Sequence, residues 1–204
     1  MNKQGNMVLG GTLGMKVQRA AKAPLSWRIK NWLRWGYVKG WLAWYAIAPL
    51  ARKFGIATMI GKLEARFLRK DGAVIDYGVV GRQLVTTAFV NFVVDQLQTE
   101  TSVFGDFKYH DSGVGTTAEN VTDTAIETTD GESRATGTQT EGTSVQYVSV
   151  GTIAYTTSKA ITEHGLFNDA TTGTLMDRTV FSAVNVVNGE SIQFTYTLTV
   201  TAGG

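Results

Sequence analysis

From about Thr58 onward apolar and polar residues alternate, the period that buries one face of a β-strand and leaves the other wet. In Lys62–Arg69, Leu63, Ala65 and Phe67 share one face and Lys62, Glu64 and Arg66 the other. Asp71–Gly72 is a hairpin-turn signal, and Val74–Val80 returns from it as the next strand. The run Glu190–Thr201 is the clearest: Ile192, Phe194, Tyr196, Leu198 and Val200 line one face, and Asn188–Gly189 turns the chain ahead of it. Further strands are predicted near Phe104–His110, Ser133–Thr140, Ser144–Tyr155, Ala160–Phe167 and Thr174–Val184. Arg82–Leu97 breaks this period. There Val85, Ala88, Phe89, Phe92 and Val93 fall at i, i+3, i+4, i+7 and i+8, one face of a helix. Its β-branched content leaves a strand open, but the run is long for one, and a helix over the sheet is favoured. Residues 58–204 therefore predict a mainly-β domain, an antiparallel β sandwich with one packed helix.

Ahead of Thr58 the pattern changes. Residues 1–23 hold Gly5, Gly10, Gly11 and Gly14 and no period, which predicts an arm that a neighbour would order. The apolar run Met7–Leu13 is broken by glycines and followed by bases, unlike a secretory signal. Pro24 can open a helix, with Ser26 as an alternative N-cap. Gly36 and Gly40 each weaken a long helix by roughly 1 kcal/mol. The expectation is two short helices or one kinked helix, stopping near Pro49. The apolar run Trp41–Ala51 is far shorter than the roughly 20 residues of a membrane-spanning helix. Residues 1–57 thus read as a basic, Trp-rich helical or extended N-terminal arm with docking helices, distinct from the β domain 58–204.

Charge sharpens the division. The net +2 conceals 14 Lys and Arg against one acid in residues 1–70, and 5 against 16 in residues 71–204. Such asymmetry points to a partner for each half. All five Trp lie between Trp27 and Trp44. Three uses compete for this segment. The favoured one is protein docking, with Trp27, Trp32, Trp35, Trp41 and Trp44 as anchors and Arg28 and Arg34 at the edge. The second is nucleic-acid contact through Arg19, Lys22, Lys30 and Lys39 together with Arg28 and Arg34, the aromatics stacking on bases. The third is a membrane-surface anchor. Packing onto the chain's own core is the plain structural alternative.

Catalytic chemistry finds little support. The chain has no Cys, which excludes disulfides, thiolate nucleophiles and thiolate metal sites, and only two His. The Gly113–Gly115 loop lacks the full glycine fingerprint of a nucleotide site. Glu119, Asp123, Glu127, Asp130 and Glu132 fail the EF-hand spacing and read as a solvated loop rather than a calcium site. Glu163 and His164 are adjacent, so on a strand they face opposite ways and form no dyad; His164 is expected to hydrogen-bond within a turn. His110, Asp111 and Ser112 are neighbours in sequence, which does not make a triad. Asn120–Thr122 matches a glycosylation acceptor but comes without a secretion signal. No catalytic residue, cofactor or metal site is predicted, and the chain reads as a non-enzyme.

Residues 60–204 resemble a family of tailed-bacteriophage virion proteins of tail, fibre-base or capsid-decoration type. The resemblance rests on LEARFLRKDGAVIDYG, VTTAFVNFVVD, FGDFKYHDSGVGTTAENVTDTA, ESRATGTQTEG and AITEHGLFNDATTGTLMDRTVFSAVNVVNGESIQFTYTLTV. Its most specific parts are Gly113–Glu119, Ile161–Phe167 with Leu175–Arg178, and Ser191–Val200. It implies a small β sandwich in the virion, motifs that are structural, capsid, portal or tail subunits as partners, and a symmetric homo-oligomer, with nucleic acid secondary. Residues 1–57 lie outside the resemblance and are expected to specify the position in the particle.

Overall fold

The computed structural model describes residues 20–97 and 107–202. The fold is mainly β: two packed sheets, preceded by a helical segment. The order is β1 (Ala21–Lys22), α1 (Leu25–Trp32), α2 (Trp35–Leu42), a π-helical turn (Ala43–Ile47), α3 (Ala48–Lys53), β2 (Thr58–Leu68), β3 (Val74–Leu84) and α4 (Thr87–Gln96). It continues with β4 (Tyr109–Gly113), β5 (Ala135–Thr136), β6 (Thr138–Thr143), β7 (Gln146–Ala154), β8 (Lys159–Phe167), β9 (Leu175–Val186) and β10 (Ser191–Thr201). One sheet runs β1-β3-β2-β10-β7-β6 and the other β5-β4-β8-β9. Every pairing is antiparallel except that of β1 with β3.

The alternation sets which side chains meet between the sheets. β10 is central, flanked by β2 (Phe194 opposite Ala65) and β7 (Phe194 opposite Gly151). Its Ile192, Phe194 and Tyr196 are fully buried, as are Leu63 of β2, Ile161 and Leu166 of β8 and Phe181 of β9. At the β2–β3 turn Gly72 has φ 83°, which glycine adopts without strain, and the Asp71 carboxylate accepts the Ala73 N–H at 2.9 Å. Gly189 does the same before β10 with φ 84°.

Several expectations are corrected. The helix predicted over Arg82–Leu97 begins only at Thr87, because Arg82, Gln83 and Leu84 are still paired with Lys62, Gly61 and Ile60. Thr86 caps the helix by accepting the Phe89 N–H at 3.2 Å. The strand predicted over Phe104–His110 lies partly outside the described residues. Its described part, β4, runs on into the predicted loop as far as Gly113, which pairs with Glu163. The strand predicted over Ser133–Thr140 is broken at Gly137, so that β5 joins one sheet and β6 the other. A Cβ at Gly137 would sit 2.8 Å from the His110 ring. The helical segment does not stop at Pro49. Proline's ring would collide with the carbonyl four residues back, and the widened π turn, in which the Ala48 N–H bonds Ala43 O, lets α3 continue through it. The glycine-rich arm expected over residues 1–23 lies almost wholly outside the described residues.

Candidate docking surface

The helical segment lies on the β sheets by its smallest residues. Gly36 and Gly40, one turn apart on α2, are both buried, and Ala43 and Ala48 continue the buried face. A Cβ at Gly40 would overlap the Arg82 carbonyl oxygen of β3, and one at Gly36 the Glu119 carboxylate. The backbone of α2 therefore rests directly on strand and loop. The sequence signal was the Gly-x-x-x-Gly spacing. Read by propensity alone it marks a weak helix; its structural role is close approach.

α1 is held by polar contacts to two strand edges. The indole N–H of Trp27 is shared between the carbonyls of Ser182 (2.8 Å) and Ala183 (2.9 Å), and its ring stands edge-on to Tyr77 at 4.6 Å. Asn31 is buried. Its amide donates to Val80 O at 2.9 Å and its carbonyl accepts the Ser182 N–H at 2.9 Å. Strand β9 is the outer strand of its sheet, and β3 is covered by β1 only at Ile75 and Asp76. α1 thus satisfies backbone groups on two edges that would otherwise be open.

What remains outward is large and apolar. Trp32 is 60% exposed, Trp35 66% and Trp41 46%, with Leu33, Leu50 and Phe54 also exposed. The five Trp proposed from sequence as anchors are therefore not equivalent. Trp27 is engaged within the chain. Trp44 is half-buried with the Arg82 guanidinium 5.6 Å from its ring. Trp32, Trp35 and Trp41 face solvent. Arg28 and Lys30 are exposed. Arg34 is half-buried, reaching Thr116 O at 3.5 Å, and burial lowers its pKa against the opposing effect of Glu119. Lys22 pairs with Asp76 at 2.7 Å, and the Lys39 ammonium approaches Glu119 O at 3.5 Å. Arg19 lies outside the described residues. No described helix is long and apolar enough to cross a membrane.

Most titratable groups of the β sheets are bound up internally. Glu163 is completely buried. Its Oε1 accepts the N–H groups of Gly115 (2.8 Å) and Thr128 (2.9 Å), and its Oε2 that of Glu127 (3.1 Å) and Nε of Arg178 (2.7 Å). Arg178 also reaches Asp123 at 2.9 Å and Glu127 at 3.1 Å. Gln83 donates to Glu119 at 2.5 Å, Ser112 to Asp130, and Lys159 to Glu132 at 2.6 Å. The expectation of a solvated acidic loop is corrected: its carboxylates fasten the loop to the strands. Glu163 and Arg178 were legible as lone charges within apolar strands, a pattern that calls for a buried partner.

His164 lies mid-strand in β8, not in a turn, and the fold brings both His together. His110 Nδ1 and His164 Nε2 are 2.9 Å apart, and His110 Nε2 lies 2.9 Å from Ser149 Oγ. Burial lowers both pKa values, that of His110 to about 3, so the rings are neutral at pH 7. Asp111 turns to Arg134 at 2.9 Å and Ser112 to Asp130 and Tyr155, so His110, Asp111 and Ser112 diverge. A cleft of about 580 Å³ opens beside these contacts, lined by Trp27 and Trp32 of α1, Tyr37 of α2 and Asp76, Tyr77 and Arg82 of β3. Its described acid, Asp76, is committed to Lys22 and to the Gly78 N–H. Among the described residues no group of three or more His, Asp or Glu is placed to hold a metal ion.

No protein-family model matches the chain, and no curated protein matches it.

Proposed function

We propose that this protein is a non-enzymatic structural component of a bacteriophage particle, an antiparallel β sandwich anchored to neighbouring virion subunits by its N-terminal arm. The observation that carries the docking part is the inverted packing of α1–α3. Their small residues face the chain's own strands, and Trp32, Trp35 and Trp41 face outward. A helix folded only to cover its own core would turn its large side chains the other way. The virion assignment follows from the sequence resemblance over residues 60–204. The closure of the buried charges onto one another supports a scaffolding role for them, since a catalytic group must reach substrate.

The test is incorporation. Particles assembled with Trp32→Ala, Trp35→Ala and Trp41→Ala together should lose the protein, because truncating a buried Trp anchor costs about 2 kcal/mol or more of binding. Unchanged occupancy overturns the docking reading. Absence of the wild-type chain from purified particles overturns the virion reading.

A further inference from the structure

Resting on that docking reading, we infer that the outward face of α1–α3 seats in an apolar groove rimmed by carboxylates on a different protein subunit. The first support is area. Twelve large apolar side chains between Leu25 and Ile56 are 41–74% exposed. At about 150–250 Å² for each aromatic, they present on the order of 1,000 Å². The largest apolar patch on a monomer is usually about 300–600 Å², and one side of a standard protein interface buries about 800 Å². The face is interface-sized.

The second support is charge. The first acid of the chain is Glu64, so residues 20–57 carry bases alone. Arg28, Lys30, Arg52 and Lys53 meet no carboxylate among the described residues. Covering the apolar face draws these cations toward the partner and strips water from them. Carboxylates at the rim compensate for that loss; any other lining leaves cations unpaired.

Among its described residues a second copy offers no such groove. Arm against arm sets bases against bases. On the β domain the described acids are largely committed internally, and the exposed Asp71, Asp95, Glu141 and Asp169 are scattered over a turn, a helix, an edge strand and a loop. The domain does have an apolar hollow of about 320 Å³ between Met59, Phe89, Tyr147 and Leu198, but no acid is among its described lining. Nucleic acid would pair with the bases and stack on the indoles while leaving Leu33, Ile47 and Leu50 wet. A bilayer interface suits one continuous amphipathic helix lying flat. Here the break at Leu33–Arg34 parts α1 from the unbroken helical run Trp35–Lys53, so the face is carried by two helices, and α1 is tied to β3 and β9 through Asn31.

The experiment uses the full chain. A benzophenone amino acid in place of Trp35 or Leu50 should cross-link, within assembled particles, to a single segment of another protein containing Asp or Glu beside apolar residues. Arg28→Glu with Lys30→Glu should lower incorporation at least ten-fold; both positions are exposed, and the far-ultraviolet spectrum should not change. The purified chain should sediment as a monomer. Its Trp emission should not shift with phosphatidylglycerol vesicles or a double-stranded oligonucleotide at physiological salt. Cross-links to a second copy or to DNA overturn the inference. So does a blue shift on the vesicles that Trp35→Ser abolishes. If the Trp variants remove the protein from particles but charge reversal does not, the acidic rim is wrong and docking stands. If neither has an effect, docking itself is wrong.

Discussion

Glu163 and Arg178 meet at 2.7 Å, the carboxylate fully buried and the guanidinium 4% exposed, on adjacent strands β8 and β9. Such a pair holds only if the remaining lone pairs and protons are satisfied, and three backbone N–H groups and two further carboxylates do this. Glu163→Ala would leave Nε of Arg178 and the N–H groups of Gly115, Glu127 and Thr128 without their acceptor and release the loop 114–128. The expected cost is about 3–5 kcal/mol in urea unfolding. The amides of Gly115, Glu127 and Thr128 should lose hydrogen-exchange protection ahead of the strands. Uniform loss of protection across the sheet would show that the pair does not organise this loop in particular.

Asn31 links the two sheets at their common edge. Asn31→Ala leaves Val80 O and Ser182 N–H without their partner, an expected loss of about 2 kcal/mol or more. It also bares two strand edges, so light scattering should show aggregation that grows with concentration. A variant equally stable and equally soluble would mean that α1 does not seal those edges.

Gly40→Ala tests close approach against propensity. Alanine improves an isolated helix by roughly 1 kcal/mol. Here the added Cβ meets a backbone oxygen, which no side-chain rotation can clear, so α2 must lift from β3. The net effect should be destabilising by about 1–3 kcal/mol, with faster proteolysis between residues 33 and 57 than in the wild type. Slower proteolysis would reverse the argument.

Much of the β architecture was legible because burial on one face writes itself into the sequence every second residue, as in Ile192–Val200. The turns at Gly72 and Gly189 were equally plain. What the alternation could not show is which strands pair across long separations. It therefore missed that His110 and His164, 54 residues apart, share one contact. The acidic loop misled for a related reason: carboxylates facing solvent and carboxylates facing Arg178 have the same local composition. In the helical segment the Trp residues drew attention, yet Gly36, Gly40 and Asn31 fix its placement. Small residues carry no periodic apolar signal, so a face made of them reads as a gap.

Asp177 supplies a pH-dependent prediction. It is fully buried between the sheets, with Thr179 Oγ1 donating to its Oδ1 at 2.8 Å and no partner for its Oδ2 among the described residues. Burial, reinforced by Glu119 and opposed by the Thr179 hydrogen bond, raises its pKa to about 7. The folded state therefore prefers the neutral acid. This contribution is fully present below about pH 4, falls as pH rises, and is gone above about pH 7, a total of about 4 kcal/mol. The two His act in the opposite sense. Their folded pKa values are lowered, so their contribution is lost as pH falls below about 6.5. The wild-type profile mixes these slopes, but its difference from Asp177→Asn isolates the carboxyl. Measured by urea unfolding, the variant should gain on the wild type by about 1.4 kcal/mol per pH unit between pH 4 and 7, with plateaus on either side. Tyr196, raised well above its ordinary value, titrates beyond this window and leaves the difference untouched. A difference that does not change from pH 4 to pH 8 would mean that Asp177 enters the core already ionised, with a partner for Oδ2.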